Sequence, residues 1–395
     1  MSLNTTVSAN RVHIAFFGRR NAGKSSVVNA VTNQNLSVVS DFKGTTTDPV
    51  KKAMELLPLG PVVIIDTPGF DDEGALGELR VQKTREILRK ADIAVLVVDA
   101  AEGVGEAEKT LLSEFSERRL PYLIAYNKCD LLSDRPPLDQ NALYVSALTK
   151  EGIDTLKERL ARLNKALPEE KKIVVDIMDG DLAVLVIPID ESAPKGRLIL
   201  PQQLTIRELL DHHKSVICCQ SEELSATLSS LKEKPAIVIT DSQAFEKVQR
   251  DTPDDIPLTS FSILFARYKG ELKTLLQGAF ALDDLEDGDR ILIAEGCTHH
   301  RQCNDIGAVK MPSWIESYSG KKPLYEFSSG NEYPEDLERY KLIVHCGGCM
   351  LNEKEMRYRL KKAEEAGIPI TNYGMAIAQM HHILNRALKP FENIL

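Results

Sequence analysis

The chain contains 395 residues, 43 % of them hydrophobic and 27 % charged, and carries a net charge of −9. This length exceeds that of one hydrophobic core and predicts two or three domains, and the lack of a signal-peptide pattern or a membrane-length apolar run predicts a cytoplasmic protein without membrane contact. Neither half of the chain is basic, which argues against nucleic acid as a partner.

The first predicted strand, residues 13–17, leads into a glycine-rich loop and then a helix. Residues 18–25 match the pattern G-x-x-x-x-G-K-S. In this pattern backbone N–H groups surround phosphates, the lysine reaches the outer phosphates and the serine hydroxyl binds Mg²⁺. The helix N-terminus faces the anion. The predicted nucleotide contacts are Gly18, Asn21, Ala22, Gly23, Lys24, Ser25 and Ser26.

A second motif begins at the end of the buried strand predicted at residues 62–66. This strand ends at Asp66, and the sequence continues Thr-Pro-Gly69. The Asp66 carboxylate is suited to hold Mg²⁺ through water, and the Gly69 N–H to meet the γ-phosphate. We therefore expect the Mg²⁺ site to include Ser25 and Asp66.

Base recognition is predicted at residues 127–130, which read Asn127-Lys128-Cys-Asp130 after an apolar strand. An aspartate here accepts from the ring N–H and the exocyclic amine of guanine, and adenine lacks that amine. A polar site left unpaired by the wrong base discriminates strongly. Ser146 and Ala147 provide the small loop behind the base.

Together these motifs resemble the translation-factor-like class of small GTPases, most closely its tRNA-modifying and ribosome-assembly branch. The resemblance implies that GTP is hydrolysed to GDP, and that Thr46, within residues 41–48, senses Mg²⁺ and the γ-phosphate. Thr45 is the register alternative. The implied catalytic set is Lys24, Thr46, Asp66 and Gly69.

Two positions bear on the rate of hydrolysis. Phe70 stands where Ras-like proteins carry the glutamine that orients water, so intrinsic hydrolysis is expected to be slow. Asn21 matches the asparagine that helps to hold K⁺ in the resembling branch, where K⁺ replaces an arginine finger. Its alternative role is that of a loop-stabilising amide.

Beyond a predicted helix at 153–163, a proline and a charge run indicate a linker, so the GTPase domain is predicted at residues 1–170. Residues 171–270 alternate between strand and helix patterns, which is typical of a parallel sheet flanked by helices. We interpret them as an interaction or dimerisation domain. The adjacent Cys218 and Cys219 are interpreted as packing residues in a strand.

The last predicted domain, residues 271–395, contains two cysteine and histidine motifs. Cys297-Thr-His299 and His345-Cys346-Gly-Gly-Cys349 each follow a short apolar strand. Parallel strands would bring both motifs to one sheet edge. Three thiolates suit either a Cys₃His zinc site or a 4Fe-4S cluster with one exchangeable iron position. The strand-end setting and the two glycines favour iron when they are combined with the resemblance given next.

This motif pair behind a GTPase domain resembles the FeFe-hydrogenase maturation GTPases. The resemblance implies a homodimeric scaffold with a 4Fe-4S cluster and a transient di-iron precursor, acting with radical-SAM maturases and apo FeFe-hydrogenase. It implies Cys297, Cys346 and Cys349 as ligands. His299 and His345 become possible fourth ligands or supporting donors, and Cys303 is an alternative to Cys297.

The predicted fold is therefore α/β throughout: a P-loop GTPase domain, a middle α/β interaction domain and a C-terminal α/β iron-sulfur domain. The second hypothesis is a GTPase switch with a zinc-stabilised C-terminal domain that acts in RNA modification or ribosome assembly. Two local expectations concern the C-terminal domain. Trp314 is placed in a loop, and residues 374–388 are placed in one helix.

Overall fold

The computed structural model describes residues 11–34, 50–69, 75–166, 171–189, 198–296, 306–330 and 332–393. The chain divides into two compact units, Met1–Glu169 and Glu170–Leu395. Both units have α/β architecture, as the sequence predicts. No helix within the described ranges has the length and apolarity needed to cross a membrane.

The first unit is built on a six-stranded sheet with the order β2-β3-β1-β4-β5-β6. All neighbouring strands are parallel except β2 and β3. The strands are β1 Val12–Gly18, β2 Val50–Leu56, β3 Gly60–Asp66, β4 Ile93–Asp99, β5 Tyr122–Asn127 and β6 Ala142–Tyr144. The helices are α1 Lys24–Thr32, α2 Ala75–Lys90, α3 Glu106–Glu117 and α4 Ile153–Lys165.

Alternation along β1 places apolar side chains on both faces of this sheet. Ile14 and Phe16 belong to the core shared with α1 and α4, whereas Ala15 and Phe17 belong to the core on the opposite face. Burial on both faces explains why the central strands are continuously apolar. The carboxyl ends of β1, β3 and β5 carry the three nucleotide motifs.

Two four-stranded sheets form the second unit, with the orders β10-β9-β7-β8 and β12-β11-β13-β14. Every strand pair in them is parallel. The strands are β7 Leu182–Val186, β8 Ser215–Cys219, β9 Ile237–Thr240, β10 Leu258–Ser260, β11 Arg290–Glu295, β12 Leu324–Ser329, β13 Leu342–His345 and β14 Ile370–Asn372.

Nine α-helices accompany these sheets among the described residues. They are α5 Leu200–Asp211, α6 Leu224–Ser230, α7 Phe245–Asp251, α8 Phe261–Lys269, α9 Leu272–Phe280, α10 Met311–Ser319, α11 Glu353–Glu365, α12 Tyr373–Met380 and α13 Leu384–Leu388. One apolar core runs through both halves of the unit, and its members include Val184 and Ile239 of the first sheet, Leu264 of α8 and Ile343 of the second sheet. The further division at residue 270 stays a prediction.

Three local expectations need correction. Trp314 lies in α10 and not in a loop, because Pro312 occupies the first turn of a helix, where proline is tolerated. The helix expected at 374–388 is broken into α12 and α13, with His382 in a left-handed conformation between them. Cys219 packs against the core as expected, but Cys218 is exposed, because adjacent residues of a strand face opposite sides.

Candidate functional site

The glycine-rich loop connects β1 to α1, as the motif requires. Gly23 adopts a left-handed conformation with φ of 79° at the N-cap of α1, and a Cβ there would collide with the Asn127 side chain. Asn21 is also left-handed, with φ of 64°. Left-handed backbone and close approach both require glycine at residue 23. The N-terminus of α1 is thereby kept open towards a bound anion.

Asp66 contacts the two neighbouring side chains that are predicted to bind phosphate and Mg²⁺. Its carboxylate accepts hydrogen bonds from the Lys24 ammonium and, at 2.9 Å, from the Ser25 hydroxyl. Lys24 and Asp66 are both buried. The following residue, Thr67, donates its hydroxyl hydrogen to the Phe16 carbonyl at 2.7 Å, which fixes the start of the segment that ends at Gly69. A carboxylate beside a serine hydroxyl is a suitable donor set for Mg²⁺.

The side chain of Asn127 links the phosphate loop to the loop behind the base. Its Nδ2 donates to the Ala22 carbonyl at 2.9 Å, and its Oδ1 accepts from the Ala147 N–H at 3.0 Å. Ser146 is fully buried, and its hydroxyl oxygen accepts from the Thr149 N–H. These contacts bring the predicted base loop, the tetrad and the phosphate loop together.

The tetrad's other two polar residues differ in their partners. Lys128 Nζ lies 2.6 Å from Asp99 Oδ2. Burial acts to raise the pKa of Asp99, but the hydrogen bond and charge of Lys128, together with hydrogen bonds from the backbone N–H groups of Ala101 and Glu102, lower that pKa below its usual value. In contrast, Asp130 Oδ1 is buried without a hydrogen-bond partner among the described residues. An unpaired buried carboxylate oxygen is costly, so a donor from the base would stabilise it.

The phosphate loop is stabilised by an ion pair that the motifs do not predict. The Arg19 guanidinium bonds to the buried carboxylate of Glu108 in α3. The other oxygen of Glu108 accepts from the Gly105 N–H at 3.1 Å. Because Arg19 and Glu108 are 89 residues apart, no local pattern in the sequence indicates this contact.

Several predicted site residues lie outside the described part of the chain. These residues are Thr45, Thr46 and Phe70 in the GTPase unit, and Cys297, His299 and Cys303 in the second unit. Their predicted roles stay predictions. Among the described residues, no group of three or more metal-ligating side chains is assembled.

The two cysteine motifs follow adjacent parallel strands, as predicted. In the register of β11 and β13, Ala294 pairs with His345, and the Cys346 N–H donates to the Ala294 carbonyl at 2.8 Å. The Cys346 sulfur accepts from the Gly296 N–H at 3.0 Å and from the Gly348 N–H at 3.4 Å. Gly296 immediately precedes Cys297 in the chain. The second cysteine loop therefore lies against the start of the first.

Lys269, at the end of α8, holds the loop that contains Cys349. It is only 3 % exposed, and its ammonium donates to the carbonyl oxygens of Cys349 and Leu351 at 2.9 Å each. Burial raises the pKa of the Cys349 thiol, and the Lys269 charge opposes this effect. No sequence pattern indicates this role for Lys269, because a lysine at a helix end is ordinarily solvated.

His345 is fully buried and uses both ring nitrogens. Nδ1 lies 2.7 Å from the Cys346 carbonyl and Nε2 lies 3.0 Å from the Arg359 guanidinium. Since arginine only donates, Nε2 accepts and Nδ1 carries the hydrogen. Desolvation, with a further contribution from Arg359, lowers the pKa of His345 to about 3. A neutral ring with both nitrogens engaged fits the predicted supporting role better than that of a ligand.

Arg359 is itself buried in α11 and extends this network. Its Nε donates to Glu355 Oε1 at 3.1 Å, and one terminal nitrogen donates to the Gly330 carbonyl at 2.6 Å. Glu355 is also buried. Charge neutralisation by Glu355 allows the arginine to remain in the core. The network orients the His345 ring, which in turn bonds to the Cys346 carbonyl.

The parallel sheet, the phosphate loop and the guanine tetrad define the first unit as a P-loop GTPase domain. Residues 13–128 match the family model of the 50S ribosome-binding GTPase. Residues 173–270 match the hydrogen maturase F dimerization domain, and residues 273–390 match the hydrogen maturase F tetramerization domain. The last two matches together cover more than half of the chain, which belongs to the hydrogen maturase F family.

Curated relatives match the GTPase unit. The tRNA modification GTPase MnmE of Xanthomonas oryzae pv. oryzae is 37 % identical over 153 residues, covering 38 % of this chain and 34 % of that protein. MnmE of Nitrosomonas europaea is 33 % identical over 156 residues, with coverage of 38 % and 34 %. The chain thus spans about a third of the length of these relatives.

Solved structures of other GTPases cover about 40 % of this chain. A point variant of Aquifex aeolicus Era bound to GDP.AlF4- is 24 % identical with a TM-score of 0.36, covering 40 % of this chain and 57 % of Era. The G domain of the T. maritima FeoB iron transporter is 23 % identical with a TM-score of 0.31, covering 39 % and 99 %.

Proposed function

We propose that this protein is a GTP-hydrolysing scaffold in hydrogenase maturation. It binds a 4Fe-4S cluster and holds a di-iron precursor of the hydrogenase H-cluster, which is its cargo, for delivery to apo FeFe-hydrogenase. Radical-SAM maturases are its other partners. The hydrogen maturase F dimerization and tetramerization domains support an oligomeric scaffold, for which a homodimer is the proposed minimal form.

The observation that carries this proposal is the hydrogen bonding of the Cys346 sulfur. Backbone N–H groups from Gly296 and Gly348 both point at this atom. Such donors stabilise a thiolate and are characteristic of cysteines that ligate iron-sulfur clusters. The donor set of Cys297, Cys346 and Cys349 fits a 4Fe-4S cluster. When bound, the cluster supplies one iron with an exchangeable ligand.

The remaining coordination position has several candidate ligands. His345 is disfavoured, because its Nε2 accepts from Arg359 and its Nδ1 donates to the Cys346 carbonyl. His299 remains a candidate fourth ligand, and Cys303 remains the alternative to Cys297. We assign His345 to the orientation of the Cys346 backbone.

In the GTPase unit, Lys24 binds the outer phosphates and the N–H of Gly69 meets the γ-phosphate. Ser25 and Asp66, with Thr46, hold Mg²⁺. The contact of Asp66 with Ser25 supports this assignment. K⁺ bound with the help of Asn21 accelerates hydrolysis by neutralising charge that develops on the transferred phosphate. Asp130 selects guanine through its buried carboxylate oxygen.

The direct test is anaerobic reconstitution of the full chain with ferrous iron and sulfide. We expect a brown, EPR-active protein with iron and inorganic sulfide near four per chain, the stoichiometry of the cubane. Cys346→Ser should lose the cluster and keep GTP hydrolysis. Co-expression with radical-SAM maturases should add infrared bands of carbon monoxide and cyanide. Stoichiometric zinc without sulfide would refute the scaffold and favour the zinc-stabilised GTPase.

A further inference from the structure

The end of α8 and its C-cap, residues 267–270, contact the segment through which the chain enters the second unit. Arg267 donates to the Lys172 carbonyl at 2.6 Å and to the Asp176 carboxylate at 2.6 and 2.7 Å. In return, the Lys171 ammonium donates to the carbonyl oxygens of Arg267 and Gly270, at 3.4 and 3.2 Å. We call residues 267–270 the α8 turn and residues 171–176 the entry segment.

The same turn contacts the second cysteine loop through Lys269. The two hydrogen bonds of Lys269 to the Cys349 and Leu351 carbonyls attach this loop to the end of α8. Both Arg267 and Lys269 are buried. Charged groups in a low-dielectric interior bind their partners strongly and are costly to separate from them. The entry segment and the cysteine loop are therefore attached to one short piece of helix.

The entry segment is also attached to α5. The Glu208 carboxylate accepts from three successive backbone N–H groups, those of Ile173, Val174 and Val175, at 2.6, 2.7 and 3.3 Å. A carboxylate that binds three backbone donors is a strong local anchor. Movement of the entry segment must therefore either break these bonds or carry α5 and the α8 turn with it.

The entry segment is the part of the second unit that follows the GTPase unit along the chain. Helix α4 of the GTPase unit ends at Lys165 with Ala166 as its C-cap, and Lys171 begins the next described range. Any change in the GTPase unit that acts along the chain reaches the second unit at these residues.

We propose that the α8 turn couples the nucleotide state of the GTPase unit to the cysteine loop, with Lys269 as a positioning residue for the cluster. This proposal rests on the proposed function, because it requires a cluster at Cys346 and Cys349. The connection between the two activities runs from the entry segment to Arg267, then along the helix from Arg267 to Lys269. It ends at the loop carbonyls that Lys269 binds. Coupling between two sites requires such a shared element that both can bias.

The first test uses Arg267→Met in the full, cluster-loaded protein. The rate at which a ferrous chelator removes iron is measured with GDP and with a non-hydrolysable GTP analogue. We expect two different rates in the wild type and one common rate in Arg267→Met, with GTP hydrolysis unchanged. The control is Arg207→Met, which removes an exposed pair with Asp211 and should keep both rates.

Asp176→Asn provides a milder second variant, because the half-exposed Asp176 loses its charge while Arg267 keeps the Lys172 carbonyl. Asp176→Asn should reduce, without abolishing, the difference between the iron-release rates measured with GDP and with the GTP analogue. Equal rates in the wild type, or a full nucleotide effect in Arg267→Met, would overturn the coupling. A wild type that binds no iron or sulfide would instead overturn the proposed function, and the coupling with it.

The second test addresses Lys269. Lys269→Met should release iron roughly tenfold faster in both nucleotide states, as expected when a group that orients metal ligands is lost. Lys269→Arg keeps the charge and should give an intermediate rate and a near-native EPR spectrum. Lys273→Met, an exposed lysine in α9, is the control. The positioning role would be refuted if a folded Lys269→Met protein released iron at the wild-type rate. It would also be refuted if Lys269→Arg released iron as fast as Lys269→Met.

Discussion

Asn127 Nδ2 lies 2.9 Å from the carbonyl oxygen of Ala22, so one hydrogen bond joins the base-recognition tetrad to the phosphate loop. The same side chain accepts from Ala147. A single amide thus sets the spacing between the loops that bind the two ends of the nucleotide. Loss of this amide should disturb the recognition of base and phosphates together.

We expect Asn127→Ala to lower both stability and nucleotide affinity. It removes two hydrogen bonds and leaves the Ala22 carbonyl unpaired in the core, which should cost about 1 to 3 kcal/mol of unfolding free energy. Urea unfolding and GDP titration measure the two effects. Asn141→Ala, at an exposed position before β6, should change neither. Native GDP affinity in Asn127→Ala would contradict a bridging role.

Asp130→Asn should change base specificity. An asparagine offers one acceptor and one donor, so it suits the ring N–H and carbonyl of xanthine better than the ring N–H and amine of guanine. Loss of a charge-assisted pair should weaken GTP binding by roughly 10² or more. Competition between GTP and xanthosine triphosphate measures the change. An unaltered preference for guanine would show that Asp130 does not contact the base.

Replacing K⁺ by Na⁺ should slow GTP hydrolysis several-fold, because the larger ion suits the proposed position near Asn21. Asn21→Ala should hydrolyse GTP slowly and equally in both salts. The measurement is steady-state phosphate release at constant ionic strength. If Asn21→Ala keeps its preference for K⁺, the asparagine serves only to stabilise the loop.

Gly296→Ala tests the contact between the two cysteine loops. A Cβ at residue 296 would lie 2.8 Å from Leu351 Cγ, so either the Gly296 backbone or the Leu351 side chain must shift. A shift of the backbone would weaken the hydrogen bond from the Gly296 N–H to the Cys346 sulfur. We expect reduced iron content after reconstitution. The double variant Gly296→Ala with Leu351→Ala removes the collision and should regain iron, whereas Leu351→Ala alone should keep it. If the double variant does not regain iron, the loss of iron in Gly296→Ala is not caused by the collision with Leu351.

Arg359→Met should destabilise the second unit strongly. It leaves the buried Glu355 carboxylate without its partner and His345 Nε2 without a donor, and breaking a buried pair costs about 3 to 5 kcal/mol. Arg357→Met, which removes an exposed pair with Glu353, should cost no more than about 1 kcal/mol. Denaturant unfolding of the cluster-free protein compares them. Equal losses would show that burial of Arg359 has no energetic consequence.

The nucleotide site was largely predictable from the sequence. Residues 18–25, 66–69 and 127–130 are each contiguous, and each follows a buried strand, so strand periodicity places all three motifs at one sheet edge. The same reasoning places the carboxyl ends of β11 and β13 next to each other. These predictions depend only on local spacing and on the geometry of parallel strands.

Contacts between distant residues could not be predicted in this way. The pairing of Arg19 with Glu108 and the contact of Lys269 with Cys349 join residues 89 and 80 positions apart. The occupation of both His345 nitrogens likewise depends on Arg359 in another element. Sequence spacing determined which chemical groups this protein presents at its sheet edges. Packing decided which of them are held by buried charges, because burial and partner choice arise only when separate elements meet.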